Sequence, residues 1–249
     1  MKTKTALMTI ALGLAVSLTG TVLAQEKPYI YLLIGQSNMS GRAPFTEQEA
    51  APIPGCFLLN GEDKWEPAKN PLNAHSTIRK GLNVQKMNPG YHFSIRMLEK
   101  RKDATLGLVV NAKGGTKIEE WGKGTKFYTE AVRRTEVALK EGGTIKGILW
   151  HQGESNDKNS EGYLEKLKAL VEDLRKDLNS PDLPFVAGQV LNLEPINSQI
   201  AKLPETVPHT GFVISEGLKG QDRWHFDAPS MKLLGERYAD EMLRLQEAE

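Results

Sequence analysis

Tyr29-Ile30-Tyr31-Leu32-Leu33-Ile34 runs straight into Gly35-Gln36-Ser37-Asn38-Met39-Ser40-Gly41. Six apolar or aromatic residues with no polar alternation, cut off by a glycine, predict a strand covered on both faces, as in the middle of a parallel sheet. The same signature returns at 105–110, 145–150, 185–190 and 211–214. Between these runs the apolar spacing becomes helical. Phe93, Met97 and Leu98 begin one helix, and Phe127, Ala131, Val132 and Leu139 mark another, ended by Gly142-Gly143. The clearest covers 163–178, where Leu164, Leu167, Leu170, Val171, Leu174 and Leu178 form one stripe with charges opposite. A last helix spans about 229 to 245. Strands alternating with helices imply right-handed crossovers and helices on both faces of the sheet. The expectation is a three-layer α/β/α sandwich around a five-stranded parallel sheet. The stretch 40–90, rich in Pro, Gly and Asn, reads as an irregular excursion over that sheet rather than a second domain.

The first two dozen residues read differently. Lys2 and Lys4 precede an almost wholly apolar run from 6 to 16, and Val22-Leu23-Ala24 supplies the small side chains a signal peptidase needs. Residues 1–24 are expected to be a secretory signal peptide, cleaved after Ala24. A membrane anchor fits less well, because Ser17, Thr19 and Gly20 interrupt a run already short of the roughly 20 apolar residues a span requires. Residues 25–249 then form a single domain, secreted or periplasmic, long enough to bury a full core. Losing Lys2 and Lys4 moves the formal charge from +1 to about −1, a balance that suggests neither a nucleic-acid partner nor an anionic membrane surface. Cys56 stands alone, so no internal disulfide can form, and its apolar neighbours make it a buried small hydrophobe.

In open parallel sheets, ligands bind beyond the carboxyl ends of the strands. Four polar or glycine-rich loops fall there: 35–41, Asn111-Ala112-Lys113-Gly114-Gly115-Thr116, His151-Gln152-Gly153-Glu154-Ser155-Asn156, and Asp222-Arg223-Trp224-His225-Phe226. A serine hydroxyl needs a base to become a nucleophile. Ser37 sits in a glycine-flanked turn, His225 is the natural base, and Asp222 three residues earlier can fix the imidazole tautomer. Attack on an acyl carbon builds an oxyanion, for which the amide of Ser37, an amide at Gly114 or Gly115 and the side chain of Gln152 are candidate donors. Each feature alone has a plainer reading: a serine bonding its own backbone, a tight turn, a loop cap, a structural histidine. Together, at one sheet edge, they argue for a site.

Gly35-Gln36-Ser37-Asn38-Met39, Gly114-Gly115-Thr116, His151-Gln152-Gly153-Glu154 and Asp222-x-x-His225-Phe226 resemble the blocks of the SGNH hydrolase superfamily, whose fold is flavodoxin-like. They are most similar to its sialate O-acetylesterase-like branch, which includes the acetylxylan esterases of carbohydrate esterase family 6. Trp65 to Leu72, with Glu66-Pro67-Ala68 and Asn70-Pro71-Leu72, resembles that branch too. The resemblance implies Ser37 as nucleophile, His225 as base and Asp222 as its acid, with Ser37, Gly115 and Gln152 as the oxyanion hole. Glu154 stays open between substrate binding, orienting a neighbour and sharing the acid's role. The implied activity is removal of O-acetyl groups from an acetylated polysaccharide or glycan such as acetylxylan, with sialate O-acetylesterase and a non-catalytic glycan-binding module as alternatives. No cofactor is implied, and no membrane partner in the mature form. His75, His92 and His209 show no metal-ligand spacing, so no metal site is expected. The segment Gly81-Leu82-Asn83-Val84-Gln85 departs from the branch pattern and bears on substrate choice.

Overall fold

A computed structural model describes residues 27–247, and the expected signal peptide lies outside them. The five expected strands are present: β1 Tyr29–Gly35, then β4 Leu106–Ala112, β5 Thr144–His151, β6 Phe185–Gly188 and β7 Thr210–Val213. The expected count is nevertheless too low, because the sheet has seven strands in the order β3-β2-β4-β1-β5-β6-β7. The extra pair, β2 Cys56–Leu59 and β3 Trp65–Pro67, comes from the stretch expected to be irregular. β2 lies parallel to β4, whereas β3 runs antiparallel to β2 and makes the sheet mostly rather than wholly parallel. Four and three residues are too few for periodicity to stand out among prolines and glycines. Pro67 is tolerated because β3 is an edge strand.

β1 pairs with β4 on one side and β5 on the other, both parallel. The chain therefore moves outward from β1 in one direction and later in the other, leaving a switch point at the carboxyl ends of β1 and β5. The side chains of β1 alternate between two cores. Ile30, Leu32 and Ile34 pack with helices α3 Lys126–Lys140 and α4 Tyr163–Asp177, while Tyr31 and Leu33 pack with α2 Gly90–Lys100 and α7 Ala228–Glu247. All five are fully buried, and each such side chain contributes about 1.5–3 kcal/mol. The stripe on α4 faces the first core as expected, with Leu167, Leu170, Val171 and Leu174 buried. Three further short α-helices lie among the described residues: α1 Ser37–Ser40 directly after β1, and α5 Glu194–Ala201 and α6 Leu203–Thr206 between β6 and β7. Cys56 is buried in β2, and burial pushes its thiol up to about 12.

The long excursion is pinned to the sheet by buried amides. Asn73 exchanges two 3.0 Å hydrogen bonds with the backbone of Ala112, and Asn88 Nδ2 donates to the Met39 carbonyl at 2.8 Å. Ser76 and the Thr77 amide donate to Asn111 Oδ1 at the end of β4. These bonds satisfy polar groups at strand ends and fix one wall of the crevice.

Gly35 closes β1 with φ +138, a region open to glycine, and a Cβ there would fall onto the carbonyl of His151. The adjacent strand ends can approach this closely only because the side chain is missing. Gly35→Ala is expected to cost about 3 kcal/mol or more from backbone strain and overpacking. Urea unfolding measures this, and a loss below about 1 kcal/mol would contradict the close approach.

Candidate active site

Ser37 is the first residue of α1, at the carboxyl end of β1, and its N–H has no acceptor within the helix. The loop after β7 carries its partners. Gln221 N–H donates to the His225 carbonyl at 2.9 Å and Gly220 bridges Phe226, so 220–226 folds back on itself. Phe226 is fully buried, meets the His151 ring edge-on at 5.7 Å and anchors the loop in the second core.

This loop brings Asp222 and His225 together with Ser37. His225 Nε2 lies 3.0 Å from Ser37 Oγ, and His225 Nδ1 lies 2.8 Å from Asp222 Oδ2. The other carboxylate oxygen, Asp222 Oδ1, accepts the backbone N–H groups of Trp224 and His225 at 2.8 and 2.9 Å. Partial burial opposes ionisation of Asp222, but the hydrogen bonds from His225 and the two backbone amides hold its carboxyl below the usual range. An ionised Asp222 keeps a proton on Nδ1 and leaves the Nε2 lone pair facing the serine hydroxyl. The chain Ser37–His225–Asp222 can thus take a proton from Ser37 Oγ.

Two amides flanking Ser37 lock this turn to the loop after β5. Gln36 Oε1 accepts from Gln152 Nε2 at 3.1 Å and from the Ser155 N–H at 3.2 Å. Asn38 Nδ2 donates to Glu154 Oε1 at 2.6 Å and to the Trp224 carbonyl at 3.0 Å, while Asn38 Oδ1 accepts from the Phe226 N–H at 3.3 Å. Asn38 therefore ties together three of the four loops. Sequence reasoning passed over both roles, although polar amides beside a fully apolar strand were the available signal.

Gly114 and Gly115 line the cleft next to Ser37, and a Cβ on Gly114 would come within 3.3 Å of Ser37 Cβ. Gln152 is a different matter. Its side chain is fully buried, and Nε2 faces three acceptors: Gln36 Oε1, the Thr116 carbonyl at 2.9 Å and Asn156 Oδ1 at 2.8 Å. Two amide hydrogens are already oversubscribed by three acceptors. For Gln152 to donate to an oxyanion as expected, one of these bonds has to give way; in this placement the side chain braces the loops.

Glu154 is nearly buried and lines the cleft without being joined to His225. Burial pushes its carboxyl up to about 7, against the hydrogen bond from Asn38. His151 Nε2 stands 3.9 Å away, yet burial drives that imidazole down to about 3 and keeps it neutral. Tyr238 donates to the Trp150 carbonyl at 2.6 Å, so the 3.0 Å contact between its oxygen and His151 Nδ1 is a bond donated by the imidazole. Of the two carboxylates, Asp222 is the one hydrogen-bonded to His225.

The cleft encloses about 360 Å³, and its wall also carries Arg42, Lys80, Ser155 and Trp224. Arg42 Nη1 donates to the Val84 carbonyl, which places the divergent segment 81–85 behind this wall. His75, His92 and His209 each meet one carboxylate, Glu66, Glu49 and Asp182 respectively.

A family model described as carbohydrate esterase, sialic acid-specific acetylesterase matches residues 27–244. A probable carbohydrate esterase of Arabidopsis thaliana is 36% identical over an alignment of 176 residues that covers 63% of this chain and 66% of that protein. The X-ray structure of the Arabidopsis protein superimposes with a TM-score of 0.78 at 31% identity, covering 88% of this chain and 98% of that one. The structure of NanS gives 0.74 at 17% identity, covering 90% and 99%. A carbohydrate acetylesterase from Xanthomonas citri gives 0.66 at 19% identity, covering 89% and 57%. These last two are likenesses of fold.

The Glu154 carboxyl yields a pH prediction. Its folded-state value is raised from an ordinary 4.5 to about 7, so the native state holds more protons than the unfolded chain between those values. Stability from this group is retained below about 4.5 and falls as pH rises towards 7. Glu154→Gln removes that loss while keeping an acceptor for Asn38. Its melting temperature relative to the parent is expected to rise between pH 5 and pH 8, by the equivalent of roughly 1–3 kcal/mol. A difference independent of pH would mean that Glu154 is ionised throughout.

Proposed function

The chain belongs to the carbohydrate esterase family of sialic acid-specific acetylesterases, within the SGNH hydrolase superfamily, and on that premise we propose that it is a serine esterase removing O-acetyl groups from carbohydrates. One observation carries the proposal: the continuous relay from Ser37 Oγ through His225 to Asp222, at 3.0 and 2.8 Å. A glycan-binding module has no use for such a relay.

Ser37 Oγ attacks the acetyl carbon as its proton passes to His225 Nε2, and Asp222 stabilises the imidazolium that forms. Negative charge builds on the carbonyl oxygen, where the amides of Ser37 and Gly115 are the donors. The tetrahedral intermediate collapses when His225 returns the proton to the sugar oxygen, leaving an acetyl ester on Ser37. Water activated by the same imidazole then releases acetate. Gln152, Gln36 and Asn38 are positioning residues in this scheme, acting through Ser37 and its loop. The expected signal peptide puts this chemistry outside the cytoplasm, carried by the single domain expected for 25–249.

Acetylxylan or a related glycan and O-acetylated sialate differ in charge. Sialate is favoured by one specific observation: Arg42 and Lys80 both line the cleft, next to Gly114 and Gly115, and offer two cations to a sugar carboxylate. Acetate release from a panel of acetylated xylan, neutral sugars and sialic acid separates these readings.

Ser37→Ala is expected to fold normally and to lose several orders of magnitude of acetate release. Asp222→Asn should lower kcat on ethyl acetate by roughly 10²–10⁴, and Glu154→Gln far less. Steady-state kinetics with circular dichroism as folding control measures all three. Near-parental rates in Ser37→Ala would remove it as nucleophile, and equal damage in the two acid variants would share the acid's role with Glu154.

A further inference from the structure

Among the side chains lining the cleft, Trp224 alone offers a broad apolar surface; the rest are glycines, amides, hydroxyls, charged groups and the imidazole. Its neighbour Arg223 holds its guanidinium 4.3 Å over the indole ring, and the partly buried ring also packs against the first core while lining the cleft. Arg223 is in turn paired at 3.6 Å with Asp157, from the loop after β5. The Trp224 carbonyl accepts from Asn38 and its N–H donates to Asp222. Backbone and side chain of this residue are therefore both fixed, on a loop rim that is otherwise open to solvent.

The direction of the chemistry says what Trp224 meets. The leaving oxygen must sit at His225 Nε2 to receive its proton, so the alcohol part of the ester lies on the histidine side of Ser37. The carbonyl oxygen turns towards the amides of Ser37 and Gly115. Trp224, one residue before His225, borders the leaving-group side rather than the acetyl side. A pyranose ring has a face of C–H groups that needs an apolar partner, and its hydroxyl rim suits the amides and charges around it. A flat aromatic surface supplies large contact area at little conformational cost.

Building on the proposed esterase reading, we infer that Trp224 is the specificity-determining platform for the sugar ring of the leaving group, held in place by the Arg223–Asp157 pair. An exposed pair of this kind adds little stability, so its effect lies in the orientation of the indole. Arg223 is a positioning residue that acts through Trp224.

The test compares Trp224→Ala, Trp224→Phe and Arg223→Ala on ethyl acetate and on an O-acetylated monosaccharide. Ethyl acetate has no ring to stack and reports Ser37 and His225 alone. KM for the sugar ester is expected to rise at least tenfold in Trp224→Ala, and the loss in kcat/KM to exceed that on ethyl acetate by the same factor. Phe should recover most of it, and Arg223→Ala should raise the sugar KM two- to fivefold with the melting temperature unmoved. Losses that match on the two esters would overturn the inference and make Trp224 a support of His225 only. A second measurement is free of turnover: in Ser37→Ala, titration with the deacetylated sugar should quench tryptophan fluorescence, and the quench should vanish in the double variant with Trp224→Phe. A quench that persists unchanged also overturns it. Failure of the parent protein to hydrolyse ethyl acetate would count against the esterase reading, while the fluorescence titration would still decide the role of Trp224.

Discussion

The side-chain amides of Gln36 and Asn38 hold the turn after β1 against the loop after β5, with Ser37 between them. Both are buried, and their bonds replace water that the strand ends would otherwise require. Asn38 also takes hold of the loop after β7 at two points, Trp224 and Phe226. The relative positions of serine, histidine and cleft wall all descend from this one arrangement. Leaving a buried donor or acceptor unsatisfied costs about 1–3 kcal/mol, so alternative loop packings are disfavoured. Fixed geometry is what a nucleophile and its base need, because misplacement by about 1 Å can cost 10²-fold in rate.

The arrangement has an electrostatic consequence. The end of β5 and the loop after it are drawn into the protein far enough that His151 is fully buried and Glu154 nearly so. Burial favours the neutral form of each, and it is Asp222, not Glu154, that is hydrogen-bonded to the His225 imidazole. Asp222, in contrast, keeps half its side chain exposed and is ionised with the help of three hydrogen bonds. Two acids close to one site are thereby shifted in opposite directions by their surroundings, Glu154 up and Asp222 down.

Much of the parallel sheet could be read from the chain because β1, β4 and β5 are long apolar runs that end abruptly in polar or glycine-rich loops. β2 and β3 escaped notice because runs of four and three residues carry no period, and β2 joins the sheet through β4, a strand far along the chain. Ser37, Asp222 and His225 stood out as reactive side chains at strand ends. The hydrogen bonds of Gln152 were not legible because the same amide chemistry serves an oxyanion or a loop, and sequence position does not reveal which acceptors reach it first. Arg42, Lys80 and Trp224 became visible as cleft residues only once the fold had brought distant loops together.

The central claim is that Ser37 is the activated hydroxyl of this cleft. Treatment with a small sulfonyl fluoride, followed by peptide mass spectrometry, tests it without reference to any sugar. One adduct per chain on the peptide carrying Ser37, lost in Ser37→Ala and formed far more slowly in His225→Ala, is the predicted result. Modification at Ser40 with Ser37 left free, or an unmodified protein that still releases acetate from esters, would contradict it.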